Sequence, residues 1–336
     1  MKRLCSVLLV LAAALLVAAC GTSDDGDASA QATPQSTTTP VAAAPTILAP
    51  TVTATRPVLP ATVTDKDGRS VTVTDVSRII PLNGDIAEVI WALGLGDNVV
   101  ATDTSATYPE AATTLPRIGY QRQLSAEGVL SLRPTVVIGN ENAGPPAVIE
   151  QIRGAGVPVV ILPVTTTLEG VPGKIRDVAT TLGVVETGQR VAAQTQSEID
   201  AAKTLAATAT STPRVAFLYL RGASTQQIGG TGSSADALIT AAGGVDAGTT
   251  AGIRGFQPIT AEALVTARPD VLLLLSAGLE SVGGRDGLLT IPGIAQTPAG
   301  QNRRILDYED QYLLGLGPRA GQALMEIVKG IHPELK

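Results

Sequence analysis

The chain has little of the chemistry that enzymes and metal carriers most often use. Its 336 residues include a single histidine, two cysteines and only 2% aromatic side chains. One histidine, His332 near the C-terminus, excludes a His-based catalytic triad and a multi-His cage for bare zinc or manganese. No GxSxG, HExxH or CxxC run occurs in the sequence, and each of those would be needed for its own chemistry. With so few rings, any core must be built from Val, Leu, Ile and Ala. The formal charge is −6 and no cluster of Lys and Arg stands out, so nucleic acid is a poor partner. Paired carboxylates occur, but none stands out from ordinary surface charge.

What is present begins with a targeting segment. Lys2 and Arg3 precede an apolar run from Leu4 to Ala19, too short for a stop-transfer helix. The run ends Val17-Ala18-Ala19-Cys20-Gly21, which resembles a bacterial lipobox. That resemblance implies a signal peptide over 1–20, cut before Cys20, whose thiol then carries the lipid. Acyl chains would hold the protein on the outer face of the cytoplasmic membrane. Cys5 leaves with the peptide, so no disulfide is expected although an exported compartment permits one. Residues 21–60 are rich in Ala, Thr, Pro and Ser. They have too little apolar surface to order themselves and read as a flexible tether.

The folded part is organised around a repeated unit. Gly119-Tyr120-Gln121-Arg122-Gln123-Leu124-Ser125-Ala126-Glu127-Gly128 leads to Arg133-Pro134 and the apolar Val136-Val137-Ile138. The pattern returns as Thr260-Ala261-Glu262, Arg268-Pro269 and Val271 to Leu275. In each copy Ser or Thr caps a helix, Glu faces the positive end of the dipole, and Pro ends the turn before a buried strand. Around it, a hairpin is expected at 62–64 and 71–73, strands at 78–82, 99–102 and 157–162, and a helix after Asn83, which can cap it. Gly230-Thr231-Gly232-Ser233-Ser234-Ala235 fits a loose GxGxxA pattern and reads as a tight turn before a capped helix. A long helix from about Glu186 to Ala207 would span roughly 30 Å at 1.5 Å per residue. The expectation is an α/β fold of two α/β lobes joined by a single long bridging helix, with the ligand cleft between the lobes. The N-terminal lobe is placed at 61–165, a helical linker at 166–212 and the C-terminal lobe at 213–336.

Tyr120 is the candidate binding residue. A phenolate oxygen is a hard anionic donor suited to ferric iron, including haem iron. A nearby guanidinium favours the phenolate; Arg122 is close in sequence and Arg254 is a candidate from the other lobe. Together these features resemble the substrate-binding lipoproteins of ABC importers for haem, cobalamin and ferric siderophores. The stretch from Gly119 to Gly128 resembles the haem-binding members, as do Gly144-Pro145-Pro146, Gly278 to Gly284 and Leu314 to Arg319. The resemblance implies Tyr120 as axial ligand to haem iron, with Arg122 or Arg254 beside the phenolate or a propionate. Phe256 falls where some relatives carry a second Tyr, so five-coordinate iron is implied. It further implies Glu127 and Glu262 as docking contacts for an ABC permease with its ATPase subunits, a monomer, and no enzymatic activity. The alternatives are a siderophore or cobalamin binder of the same class, or an exported α/β enzyme or sensor on this scaffold.

Overall fold

The computed structural model describes residues 56–335; the signal peptide, Cys5, Cys20 and the tether up to residue 55 lie outside the described residues. Alternating apolar and turn-forming stretches fold as β1 (Ala61–Thr64), β2 (Ser70–Val73), β3 (Ile79–Pro81), α1 (Gly84–Ala92), α2 (Glu110–Thr113), α3 (Ala126–Ser131) and β4 (Val136–Asn140). Then come α4 (Pro146–Gly154), β5 (Val159–Leu162), α5 (Val171–Thr181) and the 22-residue α6 (Val185–Ala206). The second half holds β6 (Arg214–Arg221), β7 (Thr225–Gly229), α7 (Ser234–Ala241), β8 (Val245–Asp246), α8 (Ala247–Thr250), β9 (Phe256–Pro258) and α9 (Ala261–Ala267). It closes with β10 (Val271–Leu275), α10 (Ser276–Ser281), α11 (Gly284–Leu289), α12 (Pro298–Gln301), β11 (Ile305–Tyr308), α13 (Asp310–Leu314) and α14 (Ala320–Ile331). Among the described residues no helix is long and apolar enough to cross a membrane.

Each lobe is built on its own sheet. The first is parallel, in the order β3-β4-β5, with the β1–β2 hairpin beside it as a separate antiparallel pair. The expected strand at 99–102 contributes only single bridges, Ile79 to Val99 and Thr102 to Arg117. The second sheet runs β11-β10-β6-β7-β9, with β8 beside β6. Its first three strands are parallel, and β7 and β9 extend it antiparallel. That extension is not visible in the βα alternation.

Strand residues alternate between two apolar layers, as a pleated sheet covered on both faces requires. Ile79, Val136, Ile138 and Val160 face one layer, and Ile80, Val137 and Ile161 the other. In the second sheet Val215, Phe217 and Leu273 join the first layer, while Ala216, Leu218 and Leu272 form a separate cluster. The first layer is therefore a single cluster running through both lobes. It is closed by α6, whose buried Val191, Ala192, Thr195, Ile199, Ala202 and Ala206 recur at helical spacing,.

Two glycines let α6 sit tightly between its neighbours. A Cβ on Gly188 would fall 2.2 Å from the Ala179 Cβ of α5, and one on Gly321 of α14 would fall 2.4 Å from the Glu198 Cβ of α6. Ordering starts before Ala61: the Val58 amide donates to the Gly183 carbonyl at 2.8 Å.

Candidate ligand-binding site

In the first lobe the strands end at two buried asparagines, Asn83 and Asn140. Asn83 occupies the N-cap position of α1 but does not cap it, contrary to the expectation from sequence. Its side chain is used elsewhere. Asn83 Nδ2 donates to Gln121 Oε1 and, at 3.3 Å, to Asn140 Oδ1, while its Oδ1 accepts from the Asn140 amide at 2.8 Å. The Tyr120 loop is thereby pinned to the ends of β3 and β4. Backbone bonds complete the clamp. Gly144 N–H donates to Gln121 O at 2.8 Å, Leu124 N–H to Gly144 O at 3.0 Å, and Thr104 N–H to Gly119 O at 3.0 Å. Gly119 turns the loop at φ +90°, where a side chain would be strained.

The outcome is a rigidly rooted loop that displays its tyrosine. Tyr120 is 45% exposed, and among the described residues its phenol makes no hydrogen bond. Among the described residues Arg122 reaches only Asn142 Oδ1, at 3.5 Å. In the second lobe Arg254 is exposed and held through its backbone opposite Thr231. Phe256, on edge strand β9, packs edge-on against Phe217 and Tyr219. The candidate residues thus form two groups, Tyr120 with Arg122 on one lobe and Arg254 with Phe256 on the other. No hydrogen bond or ion pair joins Tyr120 to either arginine.

Sequence reasoning passed over Tyr219 and Arg221, which lie inside the apolar run of β6. The Arg221 guanidinium stands 4.6 Å from the Tyr219 ring centroid and pairs with Asp310. Alternation along a strand, with an aromatic and then a cation at its carboxyl end, was the available signal. The other tyrosines are differently placed. Burial pushes the phenols of Tyr308 and Tyr312 up, with Glu326 adding to it, so neither is a ready phenolate donor.

The strand ends of the two lobes are tied together by a buried polar cluster that the sequence did not reveal. Gln311, 6% exposed, accepts at Oε1 from the amides of Thr107 and Tyr108 at 2.8 and 3.1 Å. Its Nε2 donates to Gly84 O and Glu88 Oε2 at 2.9 and 3.0 Å. Glu88 holds Arg319 through Nε and Nη2, at 3.0 and 2.9 Å, and Arg319 lies 3.6 Å from the Tyr108 centroid. Lys174 bridges Asp85 and Gly315 O at 2.7 and 2.9 Å.

Asp103 sits in the same region, fully buried, with Oδ1 accepting from Ser105 Oγ at 2.8 Å and Oδ2 without a partner. Burial pushes its carboxyl up to about 6, opposed by Ser105 and reinforced by nearby Asp85.

The repeated unit is duplicated down to its hydrogen bonds. Ser125 Oγ accepts from the Gly128 amide at 3.3 Å, and Thr260 Oγ1 from the Ala263 amide at 3.1 Å. Arg133 and Arg268 both turn left-handed, at φ 48° and 44°. Arg78 Nε donates to the carbonyls ending the first helix and Arg214 Nε to Ala267 O, ending the second. Glu127 and Glu262 occupy the first turns, exposed, and neither makes a side-chain hydrogen bond or ion pair among the described residues.

Two α/β lobes whose strand carboxyl ends meet across a cleft, the edge at which such sheets take ligands, define a two-lobed binding protein. Among the described residues no group of three or more His, Cys, Asp or Glu is gathered for a bare metal ion. The chain belongs to the periplasmic binding protein family, whose model matches residues 79–312.

Among solved structures it is similar to the periplasmic haem-binding protein RhuT from Roseiflexus sp. RS-1 in apo form. The identity is 53% over 78% of this chain and 100% of that one, with a TM-score of 0.76. It is also similar to the periplasmic haem-binding protein BhuT in complex with two haems, at 38% identity over 77% and 99% of the chains and a TM-score of 0.72. A curated relative is the uncharacterised ABC transporter substrate-binding lipoprotein YvrC of Bacillus subtilis. It is 23% identical over 82% of this chain and 87% of that protein.

Proposed function

We propose that this protein binds haem outside the cytoplasmic membrane and passes it to a cognate ABC permease, without enzymatic turnover. One observation carries the reading. Tyr120 is an exposed phenol without a hydrogen-bond partner among the described residues, on a loop rooted by the buried Asn83–Gln121–Asn140 bonds. A phenol presented in this way has no hydrogen bond to surrender before it ligates iron, and its oxygen, once the proton is displaced by the metal, is a hard donor suited to ferric haem. The haem-binding structures with which the chain shares 53% and 38% identity support the same ligand. Haem would supply the iron; the chain would supply the oxygen donor, its orientation, and cations at the rim. Arg122, two residues after Tyr120, and Arg254 from the other lobe are assigned as rim cations. Phe256 would offer a ring face to the macrocycle. The export and lipid anchor through Cys20 follow from the leader sequence, and docking of the permease is assigned to Glu127 and Glu262.

The test is a hemin titration followed by absorbance. Wild type should give a Soret band and a ferric-phenolate charge-transfer band, and Tyr120→Phe should lose the latter together with most of the affinity. Arg122→Ala and Arg254→Ala, titrated alongside, should shift that band or speed haem release. A Tyr120→Phe protein with unchanged spectrum and affinity would overturn the assignment. Absence of any hemin band, with binding of a corrinoid or ferric siderophore instead, would move the protein to another ligand of the same class.

A further inference from the structure

The adjacent parallel strands β6, β10 and β11 begin at a cavity of about 300 Å³, on the edge of the second sheet opposite the cleft. Ser211 and Pro213 lead into β6, Asp270 into β10 and Arg304 into β11, while Pro298 and Asn302 close the wall at the two ends of α12. The wall holds one cation and one carboxylate that do not pair with each other. Arg304 donates from Nη2 to Ile331 O at 3.0 Å, and Asp270 Oδ2 accepts from the Arg214 amide at 2.9 Å. Among the described residues these are the only hydrogen bonds of the two side chains, and neither makes an ion pair. Elsewhere on this lobe opposite charges do pair, Arg285 with Asp307 and Arg303 with Asp286. Here the backbone pins each group to its own strand end. That holds the charges apart and leaves the guanidinium fork and the second carboxylate oxygen to the cavity. Neighbouring charges are committed: Arg214 Nε donates to Ala267 O at 2.8 Å, and Glu334 accepts from Ser211 Oγ at 2.8 Å.

We propose that this cavity binds a small zwitterion of the free amino acid class, with its carboxylate on Arg304 and its ammonium on Asp270. The site lies apart from the cleft and does not rest on the haem reading. A guanidinium fork binds a carboxylate through charge-assisted hydrogen bonds of defined geometry, and an ammonium donates to a carboxylate in the same way. A ligand carrying both charges satisfies both walls at once. A simple anion would face Asp270 and a simple cation would face Arg304, so each meets a like charge that selects against it. Size points the same way, since the volume is at the lower end of the range for ligand cavities and suits one amino acid rather than a macrocycle. Pro213 and Pro298 stiffen two sides of the wall, because the ring of each fixes its backbone. The charged groups are already held by main-chain partners, so little ordering is left for binding to offset.

The experiment follows the Tm of the purified protein as each of the common amino acids is added in turn, because a ligand that binds only the folded state raises Tm with its concentration. At least one should raise it. The matching carboxylic acid without the ammonium, and the matching amine without the carboxylate, should each bind at least about tenfold more weakly. Arg304→Gln keeps a donor for Ile331 O and Asp270→Asn keeps an acceptor for the Arg214 amide, so both variants should fold, and each should lose most of the rise. The rise is measured from each protein's own baseline, so a lower starting Tm leaves the comparison intact. The proposal is overturned if no amino acid raises Tm, or if the acid or the amine alone binds as well as the amino acid. A rise shared equally by both variants marks a general solute effect and overturns it too. Hemin titrated with the amino acid present in excess should give the curve seen without it; competition would put the amino acid in the cleft and overturn the assignment to this cavity. The Tm readouts are the same whatever ligand the cleft takes.

Discussion

Asp103 offers a test of the buried chemistry that does not involve the ligand. In the fold its carboxyl is pushed from 3.8 up to about 6, chiefly by burial, while in the unfolded chain it returns to the ordinary value. Between those two values the folded protein holds a proton that the unfolded chain has released. Stability therefore falls as pH rises through this window, and the penalty is complete above pH 6. The full gap corresponds to about 3 kcal/mol, of which about 2 kcal/mol accrues between pH 4.5 and 7.5.

Asp103→Asn keeps an acceptor for the Ser105 hydroxyl but cannot ionise. Its amide nitrogen would replace an oxygen that has no partner, an unmet donor that costs about 1–3 kcal/mol at every pH. The expected result is a variant whose stability relative to wild type improves by about 2 kcal/mol from pH 4.5 to 7.5, or roughly 3–4 °C in Tm for a folded region of this size. Urea and thermal melts of both proteins at the two pH values measure it. The carboxyls of Asp177, Asp246 and Asp310 are also pushed up by desolvation, so the diagnostic is the difference between the two proteins, not the slope of either. If the difference is flat, or if the variant loses ground as pH rises, Asp103 is ionised and held by Arg117, and the reasoning fails.

Glu127→Ala with Glu262→Ala should leave hemin affinity and Tm nearly unchanged, since each carboxylate contributes roughly 0.3–1 kcal/mol at most to its helix. Uptake through the permease should fall and its salt dependence should change; normal uptake with lowered stability would reduce both to helix-dipole partners. Glu88→Ala should cost about 3–5 kcal/mol, because it strands the Arg319 guanidinium in a half-buried site without its anion,. A loss under about 1 kcal/mol by urea titration would mean that the pair does not hold α1 to the 309–319 segment.

Legibility from sequence followed the range of the interaction. The two capped helices and their Arg-Pro ends could be read because cap, dipole and turn all act within a dozen residues, and the hydrogen bonds of Ser125 and Thr260 match that reading. The bridging helix was legible from its period. Asn83 was misread for an instructive reason: the cap pattern is local, but Gln121 and Asn140 compete for the same side chain from far along the chain. Gln311 and Glu88 meet across more than two hundred residues, and neither residue carries a local sign of the partnership. Tyr219 and Arg221 were hidden by composition, since an apolar run with two polar members reads first as a covered strand. Tyr120 stood out because its surroundings are polar and its loop precedes a recognisable cap.

The shared apolar layer has a consequence for delivery. Val136 of one lobe and Leu273 of the other belong to a single cluster, with α6 held between α5 and α14 at backbone-close distance. Swinging one lobe away would tear that cluster open, so the molecule behaves as a caliper of fixed gap, not as a pair of jaws. Its outline then says little about whether it carries cargo. On the proposed reading, a transporter that must tell a loaded carrier from an empty one would have to sense the rim. The Tyr120 loop runs directly into the helix that presents Glu127, so a ligand held by the phenol would pull on the chain seven residues from the carboxylate proposed to meet the permease.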